Sequence, residues 1–466
     1  MRTISDVRAR APLADLGLLS DAAWRAVTYL REAADRRVSP SPSAIEDLRE
    51  IDRPLPLRSS SASEVLDLLD RVGSPATTIT AGGRFFGFVN GGAVPASVAA
   101  SWLVNAWDQN AALRVMSPAA AAFEAIALHW VRDLLHLPEG SGGAVVTGAT
   151  AANLCGLAAA RHALLARAGW DAENDGLFGA PPIGVVVGDE VHLSVVKALG
   201  LLGLGRRRVH RVAVDRQGRM RPDALPRLDD RTIVCIQAGN VNTGAFDPAV
   251  EICRRAHAAG AWVHVDGAFG LWATCAPRYR YLTEGFDRAD SWATDGHKWP
   301  NVGYDCGIAL VRDPRALAGA MAVSSAYFNP GDAAEPSQCG PELSRRARGV
   351  ELWATLRALG REGLADLIER TCVHAQTFAE GLRDRGHEIL NEVVINQVLV
   401  SFGSAERTRA VIDAVQQDGT CWCGATEWQG RTAMRISVSS WATSADDVKR
   451  SLAAICRIAD ECALLS

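Results

Sequence analysis

The sequence lacks the features that mark membrane, secreted and nucleic-acid-binding proteins. No apolar run reaches the roughly 18 residues that a membrane-spanning helix needs, and the N-terminal stretch has no apolar segment followed by a cleavage site. The formal net charge is −4, which gives no electrostatic attraction to nucleic acid or to an anionic membrane. We therefore expect neither a membrane nor a nucleic acid as a partner.

Cysteine spacing argues against a metal centre. The eleven cysteines are scattered along the chain. The pair Cys421 and Cys423 has neither a second pair nor histidines nearby, as a zinc site would require. An odd, dispersed set of cysteines is typical of a reducing compartment. The sequence therefore predicts a cytoplasmic protein without a bound metal.

Short apolar segments alternate with helical patterns through the middle of the chain. The predicted strands there cover 142–148, 183–189, 208–215, 232–239, 262–268, 290–296 and 306–312, and two more follow at 393–402 and 431–440. The alternation is typical of an α/β fold with helices on both faces of a mostly parallel sheet. We predict an N-terminal helical arm over 1–75, a large domain over 76–345 and a small α+β domain over 346–466.

Reactive or anion-binding residues follow several of these strands. Residues 148–150 come after the first strand and open an alanine-rich helix, whose positive end can bind phosphate. His192 follows the second strand, Asp266 lies at the end of the fifth, and His297 and Lys298 follow the sixth. Ligands of such sheets bind at the carboxyl ends of the strands, so we expect these side chains to meet.

Together these residue types suit pyridoxal phosphate. This cofactor needs an amine for a Schiff base, a carboxylate facing its pyridine nitrogen, a flat group on its ring and a phosphate-binding loop. Lys298, Asp266, His192 and residues 148–150 would supply these in turn, with His297 close to the phosphate or the ring. Taken singly, each residue is more often a solvated lysine, a capping aspartate or a structural histidine. The prediction therefore depends on their joint order.

At these residues the chain resembles the group II pyridoxal-phosphate decarboxylases, the aromatic-amino-acid and glutamate decarboxylase family of fold type I. The segments "TGATAANLCGLAAAR", "HVDGAFG" and "TDGHKWPNVGYDCG" carry the resemblance, which covers about 76–460. It implies a lyase that removes CO₂ from a small-molecule L-amino acid. It also implies a homodimer with active sites at the interface and a swapped N-terminal arm, in which residues 84–95 help to line the substrate pocket.

The resemblance extends to further residues by their position. Asn240 matches a threonine near the phosphate or carboxylate, and Asp295 stands where aromatic decarboxylases have asparagine. Arg435, on a C-terminal strand, is explained equally well as a ligand for a carboxylate or as a structural contact between strands. The predicted cofactor-binding residues are Gly148, Ala149, Thr150, His192, Asn240, Asp266, Ala268, Asp295, His297 and Lys298.

The mobile loop departs from the family pattern. Relatives carry a tyrosine just before a Pro-Glu-Leu-Ser-Arg-Arg run, and that tyrosine is linked to protonation of the α-carbon after CO₂ leaves. Here Cys339 stands in its place, and the last tyrosine of the chain is Tyr327. We therefore count Cys339 among the predicted catalytic residues with Lys298, His192 and Asp266. The alternative is that Cys339 is a tolerated loop residue and that another acid or a water donates the proton.

Several reaction outcomes fit these residues. Decarboxylation is the family default, and a late proton would let the carbanion react with O₂ to give an aldehyde, ammonia and peroxide. Plant aldehyde synthases of this family carry phenylalanine in place of the loop tyrosine. Loss of the α-proton beside a leaving group would instead give C–S β-elimination of an S-substituted cysteine. An aminotransferase and a cofactor-binding protein without turnover are the more remote alternatives.

Overall fold

The computed structural model describes residues 16–323 and 335–464, so Tyr327 lies outside the described residues. The α-helices are α1 (Leu16–Glu32), α2 (Pro42–Asp47), α3 (Ala62–Leu68), α4 (Ser74–Ala76), α5 (Pro95–Trp107), α6 (Pro118–Leu134), α7 (Ala149–Arg167), α8 (Ala172–Asp175), α9 (Leu193–Leu201), α10 (Ala249–Ala258), α11 (Pro314–Met321), α12 (Arg348–Asp384), α13 (Ala405–Asp418) and α14 (Ala445–Leu464). The strands are β1 (Gly142–Val146), β2 (Gly184–Gly188), β3 (Val209–Val212), β4 (Thr232–Gln237), β5 (Trp262–Asp266), β6 (Ser291–Asp295), β7 (Gly307–Val311), β8 (Glu388–Ile389), β9 (Gln397–Ser401), β10 (Gly424–Trp428) and β11 (Arg431–Ser437).

Seven strands form the main sheet, in the order β1-β7-β6-β5-β4-β2-β3. The strands from β3 to β6 pair in parallel, and β7 runs antiparallel to its neighbours β6 and β1. Each of the seven strands predicted between residues 142 and 312 contains one of these strands. The mostly parallel sheet confirms the predicted fold class.

Helices cover both faces of this sheet because its strands bury side chains on both sides. In β4, Val234 and Ile236 pack on the face shared with α6, α10 and α12. Ile233 and Cys235 face the opposite way, towards α7 and α9. Side chains alternate between the faces of a strand, so a strand buried on both faces is apolar throughout. This explains why the sequence patterns of β2 and β4 are continuous rather than alternating.

A second sheet follows in the C-terminal part, in the order β10-β11-β9-β8, with antiparallel pairing throughout. Helices α12, α13 and α14 pack against it, and Phe86 inserts into the same core. The predicted strands at 393–402 and 431–440 contain β9 and β11. The sequence did not predict β8, which has two residues, or β10, whose side chains are half exposed.

The chain before the main sheet is helical and joins the second sheet. The Val38 amide donates to the Gly419 carbonyl at 2.8 Å, and the Phe86 amide donates to the Trp422 carbonyl at 2.8 Å. Among the described residues, none of the helices combines the length and the apolarity needed to cross a bilayer. All eleven cysteines lie in the described ranges and carry free thiols.

Candidate active site

Four strand ends bring the predicted residues to one edge of the main sheet. Asp266 and Asp295 are the last residues of the neighbouring strands β5 and β6. His192 follows β2 and caps α9, and Gly148 links β1 to α7. The charges of Asp266, Lys298, Arg435 and Asp295 all influence the pKa of His192. The edge therefore carries a cluster of charged groups around His192.

Asp266 is a buried carboxylate held by three hydrogen bonds. Its Oδ2 accepts from Asn153 Nδ2 and from Ser194 Oγ, both at 3.3 Å, and its Oδ1 accepts from the Ala268 amide at 3.3 Å. Donors from α7, α9 and the loop after β5 thus set the direction of the carboxylate. A carboxylate that must face one particular atom of a ligand requires hydrogen bonds of this kind to fix its orientation.

A chain of buried hydrogen bonds continues behind Asp266. His264 Nε2 lies 2.8 Å from Asn153 Oδ1, and His264 Nδ1 lies 2.8 Å from Ser291 Oγ. Because an amide oxygen only accepts, Nε2 must carry the ring proton, and Nδ1 then accepts from the Ser291 hydroxyl. Trp262 Nε1 in turn donates to Ser291 Oγ at 2.9 Å. The chain orients Asn153, which donates to Asp266.

His192 is a neutral ring at this edge. The Ser194 amide donates to its Nδ1 at 3.2 Å, and the same nitrogen lies 2.8 Å from Ser194 Oγ. Burial lowers the pKa of the imidazole, more strongly than the Asp266 carboxylate raises it. A neutral, flat ring held through Nδ1 in this way is suited to stacking on an aromatic ligand and to exchanging a proton with it.

Lys298 forms an ion pair with Asp295. Its Nζ lies 3.0 Å from Asp295 Oδ2, and His297 Nε2 lies 3.6 Å from the same oxygen. The Cys306 amide donates to His297 Nδ1 at 3.1 Å, and burial lowers the pKa of the His297 imidazole. The Tyr304 ring stacks on His297 with 4.3 Å between the ring centroids. Lys298 is therefore the cation that faces Asp295.

Asn301 fixes the backbone that presents Lys298. Its Nδ2 donates to the Lys298 carbonyl at 2.9 Å and to the Ser439 carbonyl at 3.0 Å. Asn301 is buried and has a φ of 60°, a left-handed conformation that asparagine tolerates better than most residues. Gly91 lies so close that an added Cβ would come within 2.3 Å of the Lys298 carbonyl. Segment 84–95 therefore passes directly over this turn.

The residues fit the phosphate of the predicted cofactor at the start of α7. A Cβ on Gly148 would come within 3.2 Å of His297 Cε1, and a Cβ on Gly307 would come within 2.4 Å of the Gly148 backbone. The two glycines therefore allow β7, His297 and the α7 N-terminus to meet closely. The free N–H groups of a helix's first turn bind phosphate. With Lys298, Asp266 and His192 on the same edge, the donor set suits pyridoxal phosphate.

Three other predicted residues have different surroundings. Asn240 Oδ1 accepts from the amides of the residues two and three positions later, and its Nδ2 is buried without a hydrogen-bond partner among the described residues. Arg435 donates to Asn242 Oδ1 at 3.3 Å. Cys339 packs partly buried against the α7 side of the sheet, where Glu124 is the charged group with the largest effect on the pKa of its thiol. Within one chain, no described contact joins Cys339 to Lys298.

The sequence did not identify the supporting polar residues Asn153, Ser194, His264, Ser291 and Asn301. Single polar residues in apolar helices and strands have no periodic pattern that would mark them. One signal was available, because His264 precedes Asp266 by two positions in a strand and therefore lies on the same face.

Comparisons with known proteins give one family. Residues 46–404 match the family described as "Pyridoxal-dependent decarboxylase conserved domain". The chain is 31% identical over 375 residues to an aromatic-L-amino-acid decarboxylase of Drosophila lebanonensis, covering 74% of this chain and 91% of the relative. It is 29% identical over 365 residues to a phenylacetaldehyde synthase of Arabidopsis thaliana, covering 72% and 73%. The crystal structure of Oryza sativa TDC with PLP and tryptamine superposes with a TM-score of 0.88 at 24% identity, covering 97% of this chain and 99% of that one.

Proposed function

We propose that this chain, which belongs to the pyridoxal-dependent decarboxylase family, uses Lys298, Asp266 and His192 to release CO₂ from an L-amino acid. The reaction class and the cofactor follow from the family, and the roles of the residues are our proposal. The observation that carries it is the meeting of a lysine, a supported buried carboxylate and a neutral histidine at one sheet edge.

Each residue has a task that its surroundings support. When bound, pyridoxal phosphate would supply an aldehyde for amines and a ring that withdraws electrons from the substrate's α-carbon. Lys298 would hold the aldehyde end, and Asp266, directed by its three donors, would hold the pyridine nitrogen. The imidazole of His192 would stack against the cofactor ring and exchange a proton with it. Gly148, Ala149 and Thr150 would bind the phosphate through backbone N–H groups and the threonine hydroxyl.

We further propose that two copies of the chain form the functional unit, with an arm over 1–75, a large domain over 76–345 and a small domain over 346–466. Apolar side chains exposed on α1 and α5 support this pairing.

The free thiols support a reducing compartment such as the cytoplasm. Arg435 is the candidate ligand for a substrate carboxylate, because its charge reaches His192.

Oxidative decarboxylation to an aldehyde is the second candidate. It is favoured by the position of Cys339 in place of the loop tyrosine and by the similarity to a phenylacetaldehyde synthase. Burial raises the pKa of the Cys339 thiol. The thiol is therefore protonated at neutral pH, but it is a weaker proton donor than an exposed cysteine. Cys339 would have to reach a neighbouring copy's site to act, because its contacts within one chain lie elsewhere.

The test is a substitution of Lys298 combined with a product assay. The chain contains only three lysines, and Lys197 and Lys449 are exposed, which makes Lys197→Ala a matched control. We expect Lys298→Ala to lose the visible absorbance of the lysine-bound cofactor and to reduce CO₂ release by at least about a thousandfold, while Lys197→Ala retains both. Retained turnover in Lys298→Ala would refute the assignment.

The same assay separates the candidate reactions. Aromatic, acidic and S-substituted cysteine substrates would be tested with CO₂, amine, peroxide, keto acid and thiol measured together. CO₂ with amine supports simple decarboxylation, and CO₂ with peroxide supports the aldehyde-forming reaction. Keto acid or thiol without CO₂ would count against both and favour an aminotransferase or a β-elimination enzyme.

A further inference from the structure

Asp295 carries a carboxylate oxygen that nothing in the described part of the chain satisfies. The residue is 1% exposed. Its Oδ2 faces Lys298 Nζ at 3.0 Å and His297 Nε2 at 3.6 Å, whereas its Oδ1 is buried without a hydrogen-bond partner. An unsatisfied buried carboxylate oxygen is costly, so a bound group that shares a proton with it would be stabilised there.

The unsatisfied oxygen points to the start of α7. A Cβ built on Gly148 would lie 3.6 Å from Asp295 Oδ1 and 3.2 Å from His297 Cε1. Gly148 immediately precedes a 19-residue helix, whose first-turn N–H groups are the proposed phosphate site. A phosphate bound there would therefore lie beside Asp295 Oδ1. Both groups are hydrogen-bond acceptors when fully ionised, and at least one proton is needed between them.

The charges around Asp295 change when the cofactor binds. Among the described residues its cationic partner is Lys298, whose nitrogen would then turn from Asp295 to the cofactor aldehyde. The other titratable groups that interact with Asp295 are His297 beside it, Tyr304 and Cys306 from the turn before β7, and His192 from α9. Burial lowers the pKa of both imidazoles and raises that of the Cys306 thiol. Burial and the charge of Asp295 raise the pKa of Tyr304 to about 12. All four groups are thus neutral near pH 8, and none brings a positive charge to Asp295.

We propose that Asp295 takes up one proton from solvent when pyridoxal phosphate binds and donates it, as a carboxylic acid, in a hydrogen bond to a phosphate oxygen. No bond of the cofactor changes in this step. Two buried anions in contact cannot both stay ionised, because their repulsion is not screened by water. An asparagine at this position would donate from its amide N–H and would not need to take up a proton. Cofactor affinity in this chain is therefore coupled to pH through Asp295.

The coupling can be measured as protons taken up on binding. Apoenzyme would be titrated with pyridoxal 5′-phosphate at pH 8 by calorimetry in buffers of different ionisation enthalpy. We expect wild type to take up about one proton more than Asp295→Asn. The dissociation constant of wild type should rise by up to tenfold between pH 8 and pH 9, with a flatter profile in the variant. Asp305→Asn is the matched control, because Asp305 lies in the same segment but pairs with Arg348; it should behave as wild type.

The outcomes distinguish this inference from the proposed cofactor site on which it rests. If wild type and Asp295→Asn take up equal numbers of protons while both show the Lys298-dependent absorbance, the role of Asp295 is refuted and the site stands. If Asp295→Asn folds but cannot bind the cofactor, a neutral donor does not suffice and the role is also refuted. If cofactor binding does not depend on Lys298, the site itself is wrong. Should the variant not fold, the wild-type proton uptake and pH profile alone decide, and zero uptake refutes the role.

Discussion

His264 is the residue whose protonation most directly threatens the support of Asp266. It is fully buried between Asn153 Oδ1 and Ser291 Oγ, and its only proton lies on Nε2. A second proton on Nδ1 would place a charge in an apolar interior and break the bond from the Ser291 hydroxyl. Burial lowers the pKa of this imidazole to about 4, which keeps it neutral at physiological pH.

We predict that His264 makes the protein less stable at mildly acidic pH. In the unfolded chain the imidazole regains a pKa near 6.5, so between pH 6.5 and 4 the unfolded state binds more protons than the folded state. The free energy of unfolding therefore falls as pH falls through this window, by about 2 kcal/mol at pH 5. His264→Gln can keep both hydrogen bonds without titrating, and it should lose this part of the pH dependence.

The measurement is urea unfolding of the apoenzyme at pH 7.5 and pH 5. Burial raises the pKa of Asp247 to about 6, which acts in the opposite direction but equally in both proteins, so the difference between wild type and variant isolates His264. His210→Gln, at an exposed position of β3, is the control and should match wild type. An equal loss of stability in wild type and His264→Gln would contradict the prediction.

At the residue scale, the sequence predicted the functional residues at the ends of strands. It did not predict the buried polar residues that hydrogen-bond to them. Asp266, His192 and Lys298 could be found because each follows an apolar run whose end is visible in the sequence. Asn153 lies within an alanine-rich helix, and its partner across the core is more than a hundred positions away. Only the folded chain brings such residues together. Their roles in binding the cofactor remain predictions for the experiments above.

At the scale of elements, the site depends on how closely β7 approaches the start of α7. Gly307 is the first residue of β7 and pairs with Val146 of β1 and Asp295 of β6. An added Cβ would come within 2.4 Å of both the Cα and the carbonyl carbon of Gly148. These are backbone atoms, which cannot turn aside as a flexible side chain can. A larger residue at 307 must therefore push the strand and the helix apart.

We predict that Gly307→Ala weakens cofactor binding and lowers stability. Overpacking of this kind costs about 1–3 kcal/mol, and the displaced α7 N-terminus should raise the dissociation constant for pyridoxal phosphate on the order of tenfold. Gly340→Ala is the matched control, because its Cβ would meet Val146 and Ala144 at ordinary distances of 3.8 and 3.9 Å. Thermal unfolding and cofactor titration would check both variants. Wild-type affinity in Gly307→Ala would show that the close approach is not needed.

Elements were predictable where their pattern was long or wholly apolar. The strands of the main sheet other than the edge strand β3 are buried along most of their length, so their apolar runs were visible, and α7 and α12 have long helical patterns. β10 was missed because it begins with a glycine and then alternates between exposed and half-buried residues before Trp428, a pattern that resembles a loop. The kink in α12 at Gly360, with a φ of 63°, was also not predicted, since a single glycine is tolerated within helical patterns.

At the scale of the whole molecule, one surface is more apolar than a single chain would favour. α5 packs Ala100 and Val104 inward, while Trp102, Leu103 and Trp107 are 41%, 54% and 41% exposed. α1 adds another set of exposed apolar side chains, namely Leu19, Trp24, Val27 and Leu30. A cavity lined by α1, α3 and Val98 of α5 joins the two helices. Apolar patches of this kind mark protein–protein interfaces, in keeping with the proposed pair of chains.

We predict that the double substitution Trp102→Glu and Leu103→Glu separates the pair. Wild type should elute with a mass of twice the 49.7 kDa chain, whereas the variant should elute as a single chain, because two buried carboxylates per copy would oppose association. Light scattering after size exclusion measures this directly, and CO₂ release should fall with the loss of the pair if the active sites lie at the interface. Phe178→Glu is the control, since Phe178 is 99% exposed in the loop between α8 and β2 and belongs to neither α1 nor α5. A wild type that elutes as one chain, or a variant that remains paired, would show that α5 does not form the interface.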